Sequence, residues 1–281
     1  MTYTCFDVET TNHLAHVRMI RPERANSMIP EFWQELPEII DQLSAGGDAR
    51  VIVLSAEGRH FCSGMDLSVF AGNNNVSNQE QAKHGSRQRA GFRSTALQLQ
   101  RTFSCMEESR LPILSAIQGA CIGGGIDMVS ATDLRYATND AYFCIQEINI
   151  GMTADVGTLQ RMPRFVPEGV VRELAYTGRN MSAAEAKERG FVNEIYGDQD
   201  EMLEAVFEIA GEIASKSPMA IWGTKRTLNY GRDHSVADGL EYIATWNAAM
   251  FDTDDMAEAF RASTENRDAE FPDHRPLREG L

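Results

Sequence analysis

The segment "HLAHVRMIRP" alternates apolar and polar residues and stops at Pro22, which predicts a strand. The next stretch, "SMIPEFWQELPEIIDQLSAG", carries Met28, Phe32, Leu36, Ile39, Ile40 and Leu43 at helical spacing. Pro37 falls inside that helix and predicts a kink, while Gly46 and Gly47 predict its end. "RVIVLSAEG" then reads as a short, largely apolar strand. "PILSAIQGAC" and "DLRYATNDAYFCIQE" read as strands on either side of a glycine-led helix beginning near Gly123. This repeating order of strand and helix predicts an α/β fold.

Between these elements, "AGNNNVSNQEQAKHGSRQRAGFR" (71–93) is polar, with three consecutive Asn. It predicts a loop leading into a helix, with 71–79 a candidate lid over a site. "MSAAEAKERGFVNEIY" places Ser182 and Glu185 at capping-box spacing and ends its helix at Gly190. Beyond about Asp198 the pattern is almost wholly helical, and "DAEFPDHRPLREGL" predicts a loose polar tail. Two regions follow: an α/β core over 1–200 and a helical C-terminal region over 201–281.

Composition narrows the partners. The 281 residues carry a net charge of −15 and a pI near 4.8, against a nucleic-acid partner, which needs a basic face. The five cysteines (Cys5, Cys62, Cys105, Cys121, Cys144) are odd in number and show no CxxC spacing. That predicts reduced thiols rather than a disulfide framework or a zinc site. The first residues have no basic and apolar leader pattern, and no apolar run approaches the roughly 20 residues of a membrane span. The expected setting is cytoplasmic.

The stretch "QEINIGMTADVG" (146–157) places Glu147 and Asp155 in an otherwise neutral segment rich in Ile, Met, Ala and Gly. Ionised groups are costly to bury in such surroundings, which suggests a chemical use for them. Two glycine turns follow predicted strands: "HFCSGMDL" (60–67) and "GACIGGGIDM" (119–128). Neither matches GxGxxG or a phosphate loop, so nucleotide binding in those modes is unsupported. A glycine turn can instead expose backbone N–H groups. Two of them aimed at one oxygen form an oxyanion hole, worth about 3 kcal/mol per donor. The six histidines show no metal spacing, and His60 is expected to do no more than position its turn.

The pair "FCSGMDL" and "IQGACIGGGIDMVSATDLRYAT", with "RPERANSM", "GRNMSAAEAKERGFVNEIY" and "KSPMAIWGTKRTLNY", resembles the crotonase (enoyl-CoA hydratase/isomerase) superfamily over nearly the whole chain. The resemblance implies a spiral of ββα units with a helical C-terminal trimerisation region. It also implies an acyl-CoA substrate, no cofactor or metal, and a homotrimer or a dimer of trimers. Apolar Ile243, Trp246 and Met250 would need a partner surface. By position, the N–H groups of Met65 and Gly124 would hold the thioester oxygen, and Arg24 and Lys225 would meet the CoA phosphates, unless they are solvated surface charges.

Asp127, Glu147 and Asp155 match the three acids of the 3,5-dienoyl-CoA to 2,4-dienoyl-CoA isomerases, to which "IQEINIGMTADVGTLQRMP" and "GRDHSVADGLEYIATWNAAM" are similar. The expected order is Asp155 as base at carbon 2 and Glu147 as acid at carbon 6, with the reverse open, and Asp127 as electrostatic support. Against this stand plainer readings: Asp155 as the N-cap of the next helix, and Asp127 as a buried acid paired with Arg135 or a backbone donor. The rival functions are an enoyl-CoA hydratase, using Asp127 and Glu147 around a water, and a non-catalytic acyl-CoA- or RNA-binding relative.

Overall fold

The computed structural model describes residues 3–66 and 85–277; the lid segment 71–79 lies outside them. Strands β1 (Phe6–Thr11), β2 (Leu14–Met19), β3 (Val51–Ala56), β4 (Ile113–Ile117), β6 (Leu134–Thr138) and β9 (Glu194–Tyr196) form one sheet in the order β1-β2-β3-β4-β6-β9. Within this sheet, among the described residues, β1 and β2 alone pair antiparallel. A smaller sheet joins β5 (Ala120–Ile122), β7 (Tyr142–Cys144) and β8 (Met181–Ser182).

"PILSAIQGAC" is therefore two strands, not one. Gly119 turns the chain from the large sheet into the small one with φ +56°, and a Cβ there would lie 2.2 Å from the Arg59 carbonyl oxygen. The strand pair β6–β7 makes the same switch. Since β4 pairs parallel with β6, and β5 with β7, successive units stack as turns of a spiral. Bridges between Cys62 and Cys121 and between Met28 and Met65 extend the small-sheet side by two earlier turns. The pattern missed β1, an edge strand that carries Asp7 and Glu9 and buries little beyond Phe6.

All six residues of β3 are buried because both faces are covered. Ile52 and Leu54 enter the main core, while Val51 and Val53 meet α7 (Gln199–Ala214). Through Met202, Val206, Ala210 and Ala214, α7 packs on the sheet. A boundary at residue 200 would cut it from the core it completes, so the helices that leave the sheet begin after Ala214. They are α8 (Pro218–Tyr230), α9 (Val236–Met250) and α10 (Thr253–Glu265).

Helix α1 runs over Phe32–Gly46 and starts later than the apolar spacing predicts, because Met28 leaves it to pair with Met65. Pro37 has no N–H for the carbonyl of Trp33. The hydroxyl of Thr102, on α2 (Gly85–Glu108), donates to that oxygen at 3.2 Å. Thr158 lies on the short α4 (Thr158–Arg161), which follows α3 (Gly124–Ser130) and precedes α5 (Glu168–Thr177) and α6 (Ala183–Glu188). Thr102 is 1% exposed. Thr102→Val should leave that carbonyl unsatisfied and destabilise the chain by about 1–3 kcal/mol, read by denaturant unfolding.

Two local expectations change. The hydroxyl of Ser182 accepts from the Glu185 N–H, as a cap should, but the Glu185 carboxylate pairs with Arg179 and does not complete the box. As far as Leu277 the tail is docked, not loose. Arg50 donates to Phe271 O and Asp273, Arg110 donates to Arg275 O, and Leu277 N donates to Ala45 O. His274 is buried edge-on against Trp222. The five cysteines are free and buried. No helix of the described residues is long and apolar enough to cross a membrane.

Candidate active site

A cavity of about 590 Å³ opens between the ends of β3 and β5, α3 and the segment after β7. Trp33, Ile122, Ile150, Met152 and Val156 give it a largely apolar wall. The segment after β3 enters this wall through Gly64, at φ +87°, where a Cβ would sit 2.9 Å from Ile122 O and 3.6 Å from Gly124 N. Met28 N donates to Gly64 O, and Asp66 N donates to Met28 O. The intervening Met65 N–H takes no partner among the described residues, and neither does the N–H of Gly124 at the start of α3. The two amides expected to form an oxyanion hole are thus adjacent and unsatisfied in one wall. His60 supports the turn, its Nδ1 accepting from Ala120 N at 3.1 Å.

Glu147 begins a 3-10 turn (Glu147–Ile150) directly after β7. Its Oε1 would lie 3.3 Å from a Cβ on Gly123, the neighbour of the Gly124 donor. Its Oε2 is buried and accepts from none of the described residues. Burial, then the charge of Asp127, with Asp155 adding less, pushes the carboxyl up to about 7. Such a group exchanges a proton readily near neutral pH.

Asp127 projects from α3 and is 1% exposed. Its Oδ1 accepts both the amide and the hydroxyl of Thr158, each at 2.7 Å. Burial raises its pKa, and the Thr158 donors and Arg161 oppose the rise. Arg135 is not its partner: that guanidinium donates to the carbonyls of Phe191 and Thr132. The backbone-donor reading of Asp127 is what the fold builds.

Asp155 does not cap α4. Gly157 occupies the N-cap position and Asp127 supplies the acceptor for Thr158 N. Gln100 holds the Asp155 carbonyl at 2.8 Å. The Asp155 carboxylate takes no partner among the described residues, and it stands where the cavity meets a second one of about 580 Å³.

The cationic residues divide. Lys225 is 5% exposed and spends its ammonium on Met106 O, Leu111 O and Asp133, so it locks α8 to the end of α2 and cannot reach a phosphate. Arg24 ends an exposed 3-10 turn (Pro22–Arg24) and makes no ion pair with the described residues. Among the described residues no group of three or more His, Cys, Asp or Glu is placed to hold a metal ion. The sequence did not point to Thr158 or to Met28, which reads there as a helical core residue; Pro30, two residues on, was the available sign that Met28 lies outside the helix.

Comparison with known proteins places the chain in a family. The family described as enoyl-CoA hydratase/isomerase matches residues 9–274. The mitochondrial Delta(3,5)-Delta(2,4)-dienoyl-CoA isomerase of Mus musculus is 42% identical over 257 residues, 91% of this chain and 78% of that protein. The peroxisomal Delta(3,5)-Delta(2,4)-dienoyl-CoA isomerase of Arabidopsis thaliana is 39% identical over 263 residues, 93% of this chain and 94% of that protein. Among solved structures, an enoyl-CoA hydratase from Bacillus anthracis superposes with a TM-score of 0.84 at 30% identity, covering 96% of this chain and 99% of that one. Hydratase and isomerase share the fold, so the acids must separate them.

Proposed function

This chain belongs to the enoyl-CoA hydratase/isomerase family, and from that premise we propose that it isomerises a 3,5-dienoyl-CoA to the 2,4-dienoyl-CoA in fatty-acid β-oxidation. One observation carries the reading. Two carboxylates line one largely apolar cavity beside the unsatisfied N–H groups of Met65 and Gly124: Glu147, whose buried Oε2 has no partner among the described residues, and Asp155, whose carboxylate has none there either. The relatives named dienoyl-CoA isomerases, at about two-fifths identity, support it.

The thioester oxygen accepts from Met65 N and Gly124 N, which makes the carbon 2 proton acidic. As that proton leaves, the electron pair spreads from the oxygen along carbons 2, 4 and 6. Protonation at carbon 6 then leaves double bonds at carbons 2 and 4. Carbon 2 is bonded to the held carbonyl, so the base must lie beside the Gly123–Gly124 segment, and Glu147 does. Asp155, where the two cavities meet, serves carbon 6. The geometry thus favours the reverse of the order expected from sequence. Each turnover leaves a proton on Glu147 and takes one from Asp155; the cycle closes when Glu147 releases its proton through the cavity after product leaves and exposed Asp155 takes one up from solvent.

No cofactor enters, because the thioester is the electron sink. A hydratase would need Asp127 and Glu147 to grip a water together, whereas one oxygen of Asp127 is already committed to Thr158. Arg24 is the remaining candidate for a CoA phosphate. Exposed Leu228, Leu240 and Phe260, each at least 64% accessible, support a homotrimer or a dimer of trimers. Free buried thiols suit a reducing compartment: the cytoplasm, or an organelle interior of the kind named for the relatives.

Assaying one preparation with a 3,5-dienoyl-CoA and with a 2-enoyl-CoA tests the function. The expected result is a new absorbance at longer wavelength with the first substrate, from a diene conjugated with the thioester. Bleaching of the second, with no change in the first, would identify a hydratase instead.

A further inference from the structure

We propose that Thr158 is a positioning residue for this isomerisation, its two donors holding the Asp127 carboxylate in the wall it shares with Glu147; the inference rests on the function proposed above. Gly157 offers no capping side chain to α4, so Asp127, 31 positions earlier, supplies the acceptor. Both donors converge on Oδ1, and Oδ2 takes no partner among the described residues. Thr158 and Asp127 are each 1% exposed, so water does not substitute for either donor.

A carboxylate this buried would shed its charge without donors. The hydroxyl of Thr158 therefore favours the charged form of Asp127 against its burial, and negative charge there in turn makes Glu147 a stronger base by holding a proton on it more firmly. The other groups facing Asp127 are Arg161 from α4, Asp155 from the loop before it and Cys121 from β5. Those facing Glu147 are Asp127, Asp155 and Cys144 at the end of β7. Asp66 lines the same cavity and accepts the Ser27 hydroxyl. Of the carboxylates Asp127 is the one both fully buried and bonded by Thr158, so loss of the hydroxyl acts first on its charge.

Thr158→Val keeps the shape and the amide and deletes the hydroxyl. With less charge on Asp127, Glu147 should ionise at lower pH. The acidic limb of kcat/KM, expected near 7 in the wild type, should move down by about half a pH unit or more. Relative activity at pH 6 then rises, which a merely loosened structure would not produce. Thr158→Ser, retaining the donor, should restore the wild-type limb. In an Asp127→Asn background Thr158→Val should move the limb no further.

An unmoved limb in Thr158→Val, with only thermal stability lowered, overturns the proposal, and so does an equal displacement in both backgrounds. If Thr158→Val does not accumulate folded, Thr158→Ala is read against the same outcomes. Wild-type protein without isomerase turnover would overturn the assigned function and this proposal together. Turnover with an unmoved limb overturns the proposal alone.

Discussion

Asp155→Asn is expected to lower dienoyl-CoA turnover by about 100- to 10,000-fold, the usual loss on removing a general acid or base. The substitution keeps size and the carbonyl that Gln100 holds. It removes an exposed carboxylate that bonds to none of the described residues, so stability should change by less than about 0.5 kcal/mol. Affinity for acyl-CoA should barely move, since the thioester oxygen is held by the backbone of Met65 and Gly124. Turnover and thermal unfolding measured on one preparation separate chemistry from structure. A variant with most of its isomerase rate would remove Asp155 from the mechanism and favour the hydratase reading.

Glu147→Gln should cause a comparable loss of turnover and abolish the acidic limb near pH 7 in whatever activity remains. Its stability should shift with a definite sign. Burial holds the Glu147 proton up to about 7, above the ordinary 4.5, so the unfolded chain releases that proton first. The associated stability is fully present below about pH 4.5 and is lost as pH rises through 7. The variant cannot ionise there. It should match the wild type below about pH 4.5, gain on it as pH rises toward 7 and level off above that, in paired thermal melts. A pH-independent difference would mean that Glu147 is not desolvated as its surroundings indicate.

Much of this was legible in the chain because the signals were local. The run Val51–Ala56 reads as a covered strand, and the glycines at 64 and 123–125 mark turns that side chains would obstruct. Glu147 and Asp155 stand out by their apolar context. What escaped depends on residues far apart. A lysine in a helix gives no sign that Asp133, 92 positions earlier, draws it inside, as happens to Lys225. Asp155 stands closer to the start of α4 than Asp127 in sequence, yet the cap comes from Asp127 across α3. The tail reads as polar and loose because Arg50 and Arg110, its anchors, lie in other elements. The order proposed for the two acids also rests on the fold, since only there does Glu147 come to rest against Gly123.

The central claim is a proton taken at carbon 2 by one carboxylate and a different proton given at carbon 6 by another. Turning over a 3,5-dienoyl-CoA in deuterium oxide and locating the label by proton NMR tests it directly. The expected product is a 2,4-dienoyl-CoA carrying one solvent-derived deuterium at carbon 6 and no hydroxyl. An unlabelled product, whose carbon 6 hydrogen came from carbon 2 on a single base, or a 3-hydroxyacyl-CoA would contradict it.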